Sequence, residues 1–158
     1  MKRWTTIMLR IGKLTDYATV LMTCLAGRER ALLPASELAV LAHLELPTVS
    51  KLLKLLAAAG LVESRRGSKG GYRLARAPAS ISVLDIVVAL EGPMGMTECS
   101  ASKGACDHEV HCQVQHNWQR ISRLIAASLA EVSLDAMRSP TPPPSGRGKS
   151  RSIPLTLA

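Results

Sequence analysis

Through most of the chain, apolar positions recur at helical rather than strand spacing. Leu14, Ala18, Leu21, Met22 and Leu25 fall on one helical face, in a helix that Thr15 or Asp16 would cap and that should end near Gly27. Cys24 lies within it and reads as a small core residue. Ser36 would cap a short helix from Glu37 to Ala42, and a turn at His43 to Leu46 leads into another from Pro47 to Ala59. Proline suits the first position, where a backbone N–H has no partner to lose, and Gly60 is placed to stop the helix. Val49, Leu52, Leu53 and Leu56 make a buried stripe, with Thr48, Ser50, Lys51 and Lys54 largely off it. Two short helices joined by a tight turn, the second polar and basic outside, predict a helix-turn-helix. An ordinary helix pair is the plain alternative.

The spacing then switches. Leu61 to Arg65 reads as a strand and Tyr72 to Ala75 as its return, around Arg66-Gly67-Ser68-Lys69-Gly70-Gly71. The glycines permit a tight hairpin, and its basic side chains make it a wing directed at a groove. The run lacks the Gly-Lys-Ser/Thr ending of a phosphate-binding loop, so nucleotide binding is not expected. Ser80 or Ser82 should start a helix from Val83 to about Glu91, ended by Gly92-Pro93. A loop from Met94 to about His111 precedes a long helix, about Cys112 to Met137. There Val114, Trp118, Ile121, Ile125 and Val132 follow a seven-residue repeat, with Leu124 and Leu129 widening the stripe. Such a seam packs against a partner helix, which points to a homodimer, or folds back on its own domain. From Ser139 the chain turns proline-rich and basic and reads as a disordered tail.

Charge sharpens this outline. Lys plus Arg is 20 and Asp plus Glu 12, for a net charge of +8. Residues 48–77 hold Lys51, Lys54, Arg65, Arg66, Lys69, Arg73 and Arg76 against Glu63 alone, so most of that excess sits in one stretch. A concentrated positive charge suits nucleic acid. Aromatic residues are only 3%, too few for the stacking platforms that read single strands, so duplex DNA is the expected partner. No run of eighteen apolar residues escapes a charge, which excludes a membrane span. Met1 to Met8 show no apolar run or small-residue cleavage site, and the cytoplasm is the expected compartment.

Cys99, Cys106 and Cys112 form Cys-x6-Cys-x5-Cys in a loop too polar for a core. Thiolates are soft donors that suit zinc or iron–sulfur clusters. Zinc sites favour closer pairs, so these gaps suit a larger object. His108, His111 and His116 are near enough in sequence to supply a further ligand, and His116 follows Cys112 by one helical turn. No nucleophile–base arrangement is evident, so an enzyme is not expected.

The stretch from Leu9 to about Met137 resembles the Rrf-two family of bacterial winged-helix regulators. The opening Leu9 to Ala18, Ser50-Lys51-Leu52-Leu53-Lys54-Leu55-Leu56, Gly60-Leu61-Val62, the wing from Arg66 to Leu74, Ile81-Ser82-Val83 and the three-cysteine loop carry the resemblance in order. It implies a homodimer with a winged helix in each subunit and a long dimerising helix. It also implies an iron–sulfur cluster, [2Fe-2S] or [4Fe-4S], held by Cys99, Cys106 and Cys112. For the fourth ligand it points to Asp16, as in nitric-oxide-sensing members, or to a histidine near His116, as in cluster-assembly regulators; Asp16 is preferred. His116 falls one residue further on than the family position, and the first cysteine gap is one residue longer. The opening is most similar to regulators of the SUF cluster-assembly operon.

The expected fold is therefore mainly α with a small β-hairpin wing. It comprises an extension (1–8), a winged helix-turn-helix domain (9–92), a cysteine loop (93–112), a dimerisation helix (113–138) and the tail (139–158). The expected function is a DNA-binding transcriptional regulator, a repressor, that senses cluster status. Thr48, Ser50 and Lys51 would reach base edges or phosphates, and Lys54, Arg65, Arg66, Ser68 and Lys69 the backbone or minor groove. Zinc, thiol-redox or nitric oxide sensing on the same fold are the alternatives.

Overall fold

Helix α1 (Lys13–Ala26) is the central strut, packed against most of the other elements. Ala18, Leu21, Met22 and Leu25 are buried as the periodicity predicts, whereas Leu14 turns outward. The helix does not start on a side chain of its own: Gly12 is the N-cap, and Thr15 lies inside the first turn. The cap comes from Glu91, whose Oε1 accepts from Gly12 N at 2.8 Å and from the Thr15 hydroxyl at 2.6 Å. A carboxylate at the positive end of a helix satisfies its free N–H groups and complements its dipole. This cap is tertiary, 79 residues away in the chain, and so invisible to a local search. The computed structural model describes residues 11–28, 31–102, 104, 106–107 and 111–139, and for Cys99 the backbone alone. The extension 1–8, the tail from 140 onward and His108 lie outside the described residues.

Helix α2 (Ala35–Ala42) begins after Pro34, not after a Ser36 cap, and ends at His43 in the left-handed region (φ 53°). Helix α3 (Leu46–Ala58) follows, with Pro47 in its first turn and Val49, Leu52, Leu53 and Leu56 buried. Strands β1 (Val62–Arg65) and β2 (Gly71–Leu74) pair antiparallel, Val62 opposite Leu74 and Arg65 opposite Gly71. The connecting turn uses Gly67 at φ +118°, where a side chain would be strained. The free edge of β2 pairs with Leu33, whose N–H donates to Tyr72 O at 3.0 Å and whose O accepts from Tyr72 N at 2.8 Å. That bridge fixes the hairpin to the segment between α1 and α2. Helix α4 (Val83–Glu91) starts at Ser82, not Ser80, through a reciprocal cap: Asp85 N donates to Ser82 Oγ at 3.1 Å, and Ser82 N to Asp85 Oδ2 at 2.9 Å.

The C-terminal part departs from expectation twice. The cysteine segment contains a short helix, α5 (Glu98–Ala101), which no apolar periodicity announces. The long helix is shorter than its heptads suggest: α6 runs Gln115–Ala130, and α7 (Leu134–Arg138) restarts after a bend. The bend has a clear cause. Val83 N donates to Val132 O at 2.8 Å and Leu134 N to Ile81 O at 2.7 Å, an isolated bridge that places Ser133 opposite Ser82. Ser133 caps α7 by accepting from Ala136 N at 3.1 Å. Leu134 then enters the core beside Leu21, Leu25, Ile81 and Ile86, with 0% exposure. Val132 therefore ends the seam by fastening the chain to the winged domain. No helix among the described residues is long and apolar enough to cross a membrane.

Truncating a fully buried leucine removes its transfer free energy and leaves a cavity. Leu134→Ala should lower unfolding free energy by about 3 kcal/mol, read as a reduced urea midpoint at unchanged slope. A loss no larger than that of an exposed residue would mean that the segment after the bend does not dock.

Candidate nucleic-acid interface and cysteine loop

The charge excess of residues 48–77 is divided by the fold into two groups. Lys51 and Lys54 are exposed on α3, Arg65 ends β1 exposed, and Arg66, Ser68 and Lys69 are exposed on the hairpin turn. None of these five cations has an ion pair among the described residues. Arg73 and Arg76 are committed internally. Arg73 pairs with Glu63 directly across the hairpin, where the two are register partners. Arg76 lies 3.4 Å from Asp85 Oδ2 and donates to Ser80 O at 3.2 Å. Exposed pairs of this kind contribute little stability. Their consequence is to cancel charge at the hairpin base and leave it concentrated at the tip. Hairpin register would have exposed the Glu63–Arg73 pairing in advance; the Arg76–Asp85 contact is tertiary.

Thr48 and Ser50 are half-buried at the head of α3, on either side of buried Val49. Glu45 and Leu46 are exposed there as well, Leu46 at 45%. They add an acid and an apolar contact to that tip which a search for basic residues passes over.

The cysteine segment is fastened at its centre. A Cβ on residue 95 would lie 2.3 Å from Ala101 N, so only glycine lets this strand of loop lie against α5. Ser122, buried in α6, accepts from Met96 N at 3.0 Å and sits 3.2 Å from Ser100 Oγ. That hydroxyl joins loop, α5 and α6, a role its sequence position does not advertise. Cys99 belongs to α5, while Cys106 and Cys112 are half-buried free thiols in the irregular stretch before α6. His116, exposed in the first turn of α6, lines a cleft shared with Ser100 and Ser102. Asp16, exposed on α1, lines a different cavity with Ile11, Lys13, Thr19, Val83 and Met137. One chain thus brings His116, and not Asp16, up to α5. Among the described residues no three His, Cys, Asp or Glu side chains converge as a metal site, the Cys99 side chain lying outside that set. In chemistry the donor set fits a thiophilic group: two accessible free thiols flanked by a third cysteine in a polar loop.

A family model described as an iron-dependent transcriptional regulator, Rrf2, matches residues 11–139. The chain belongs to the Rrf2 family. Among curated Rrf2-like relatives, HTH-type regulators from two Neisseria meningitidis strains are 35% identical over 95 residues, 60% of this chain and 64% of theirs. This chain thus matches a little under two thirds of the length of those relatives. IscR of Vibrio vulnificus is 26% identical over 77% of this chain and 71% of its own. In structure, the chain resembles CymR, described as the global cysteine regulator of B. subtilis. That likeness has a TM-score of 0.66 and 29% identity, covering 85% of this chain and 99% of CymR. It also resembles IscR of T. potens, with a TM-score of 0.61 and 28% identity over 82% of this chain and 85% of that one. These neighbours bear out a mostly helical winged-helix fold with a two-stranded hairpin. The relatives are transcriptional regulators, not enzymes.

Cys24 stands apart from the other thiols. Burial in α1 pushes its pKa above the ordinary 9.0, partly offset by the Arg28 guanidinium. A raised pKa means less thiolate at any given pH, and thiolate is the nucleophile. Iodoacetamide should therefore modify Cys24 several-fold more slowly in the native chain than in urea, with a rate still climbing as pH passes 9.0. Peptide mass spectrometry reads this; equal native and unfolded rates would place Cys24 outside the core.

Proposed function

We propose that this chain is a DNA-binding transcriptional regulator, a repressor acting as a homodimer, whose cysteine loop carries an iron–sulfur cluster. The observation that carries the DNA reading is the set of five unpaired cations on α3 and the hairpin tip. Thr48, Ser50 and Lys51 would enter the major groove, with Lys54, Arg65, Arg66, Ser68 and Lys69 on phosphates or in the minor groove. Val114, just before α6, and Trp118, Ile121 and Leu124 on it remain exposed and would form the seam between two subunits.

Cys99, Cys106 and Cys112 would hold the cluster. Asp16 is preferred as fourth ligand, supplied across the dimer because its own chain keeps it away from α5; His116 is the alternative within one chain. Bound there, the cluster supplies a group sensitive to iron, oxygen or nitric oxide. The protein's own part is mechanical. Loop and α6 are joined through Ser122, and the end of α6 is joined to residues 81–83. Ordering the loop would then bias how two reading heads are spaced, an equilibrium between two arrangements. The resemblance to SUF-operon regulators makes cluster-assembly genes the proposed target, in the cytoplasm.

Two measurements test this reading. In gel shifts over a salt series, Lys69→Ala should weaken binding to every duplex and reduce the slope of log K against log salt by about one. Arg73→Ala should change the slope less, since Glu63 already answers that charge. Equal slopes for wild type and Lys69→Ala would remove the wing from the phosphate contacts. Second, protein purified without oxygen should be brown, and reconstituted wild type and Cys106→Ala should differ in operator affinity. Colourless protein holding zinc would favour the zinc alternative. Equal affinity with an equal oxygen response would end the switching mechanism.

A further inference from the structure

The cleft between α5 and α6 carries a cation, Arg123, that neither the proposed DNA contacts nor the cysteines use. It encloses about 610 Å3 and is lined by Arg123, His116, Gln119 and Ser102, with Met94 and Ala126 among its apolar walls. That size falls within the range of small-molecule sites. Among the described residues no Asp or Glu lines it, and α6 carries none between Gln115 and Ala130. His116 and Arg123 are seven residues apart, two turns of one helix, and so share a face. Arg123 is exposed and has no ion pair among the described residues. The positive end of the α6 dipole lies at the same side, where Gln115 and His116 open the helix.

Fork-shaped guanidinium donors favour carboxylate and phosphate oxygens, and neighbouring amide and hydroxyl groups suit the other polar atoms of such a ligand. The apolar walls favour a carbon skeleton over a bare ion. We propose that the α5–α6 cleft binds a small organic anion, a carboxylate or phosphate ester, anchored by Arg123 with His116 and Gln119. Because α5 contains Cys99, a ligand spanning the cleft touches both sides of the cysteine segment. The site contains no cysteine, and its anchor Arg123 is not among the residues proposed for DNA or the cluster; only His116 is shared, with the alternative fourth ligand, so failure of the site would leave the regulator reading intact.

Calorimetric titration of the full chain with citrate, glucose 6-phosphate and glucose tests this. At least one of the two anions should bind, and neutral glucose should not. Arg123→Gln should weaken that binding about tenfold or more, and Arg123→Lys less. Arg120→Gln, an exposed change on α6 outside the cleft, should retain it. Absence of heat with both anions would overturn the proposal, as would equal losses from Arg123→Gln and Arg120→Gln, which would signal diffuse charge only. Weakened duplex DNA binding by Arg123→Gln, with no small anion bound, would assign the cleft to a DNA backbone and refute it.

Discussion

Two backbone hydrogen bonds, Val83 N to Val132 O and Leu134 N to Ile81 O, join the C-terminal helices to the winged domain. Each such bond contributes on the order of 1 kcal/mol net. Burying the Leu134 side chain adds roughly 1.5–3 kcal/mol, comparable to the two bonds together, which also set the register. The joint is crowded with shared groups. Ser82 pairs with Ser133 and caps α4, and Asp85, its reciprocal partner, also takes Arg76 from just beyond the hairpin. The base of the wing, the start of α4 and the end of α6 therefore meet within a few residues. That joint adds to the packing of α6 on α4 and α5 a direct backbone connection toward the hairpin base.

Helix α4 has a second tie at its other end. Glu91 is its last residue, caps α1, and stands immediately before the loop that leads to Cys99. The cysteine segment is thus bounded by α4 on one side and by α6 on the other, and α4 holds both α1 and the end of α6. A rigid element gripped at two points transmits a displacement that a flexible linker would absorb. Coupling from loop to reading head then requires only that the two ends of α4 have two arrangements of comparable free energy. The geometry supplies the connected path.

Much of this was legible in the residues, and the misses have a common origin. The stripes Leu21, Met22, Leu25 and Val49, Leu52, Leu53, Leu56 appear buried where their spacing puts them, because helical periodicity is a local record of burial. The hairpin and its glycines are read correctly for the same reason. The cap on α1 is not, because its acceptor is Glu91, far away in the chain. The bend after Ala130 is not, because the heptad continues through Val132 and only docking against Ile81 interrupts it. Helix α5 is too short to show a period, and Ser122 looks like a polar interruption of a stripe when it is the fastening point of the loop. The three cysteines stand out by their spacing alone. For a further ligand the resemblance prefers Asp16 to His116, and only the fold shows that the two line different cavities.

That separation matters because α6 has to serve two sides. His116, Gln119 and Arg123 face the α5 cleft, while Trp118, Ile121 and Ile125, each two residues further on, lie about 200° around the helix from them. Its own chain covers that apolar side only in part: Ile125 is half-buried, while Trp118 keeps 37% of its surface and Ile121 39%. A helix polar on one face and apolar on the other normally buries the apolar face against its own core. Here Ser122, with half-buried Ile125 and Leu129 beside it, is turned toward α4 and the loop, so the helix docks along one edge of its apolar face. The rest of the apolar side is left for a second surface. Pairing two such helices would remove it from water and bring both cysteine segments to one seam, which is the arrangement in which an Asp16 from one subunit could reach the thiols of another.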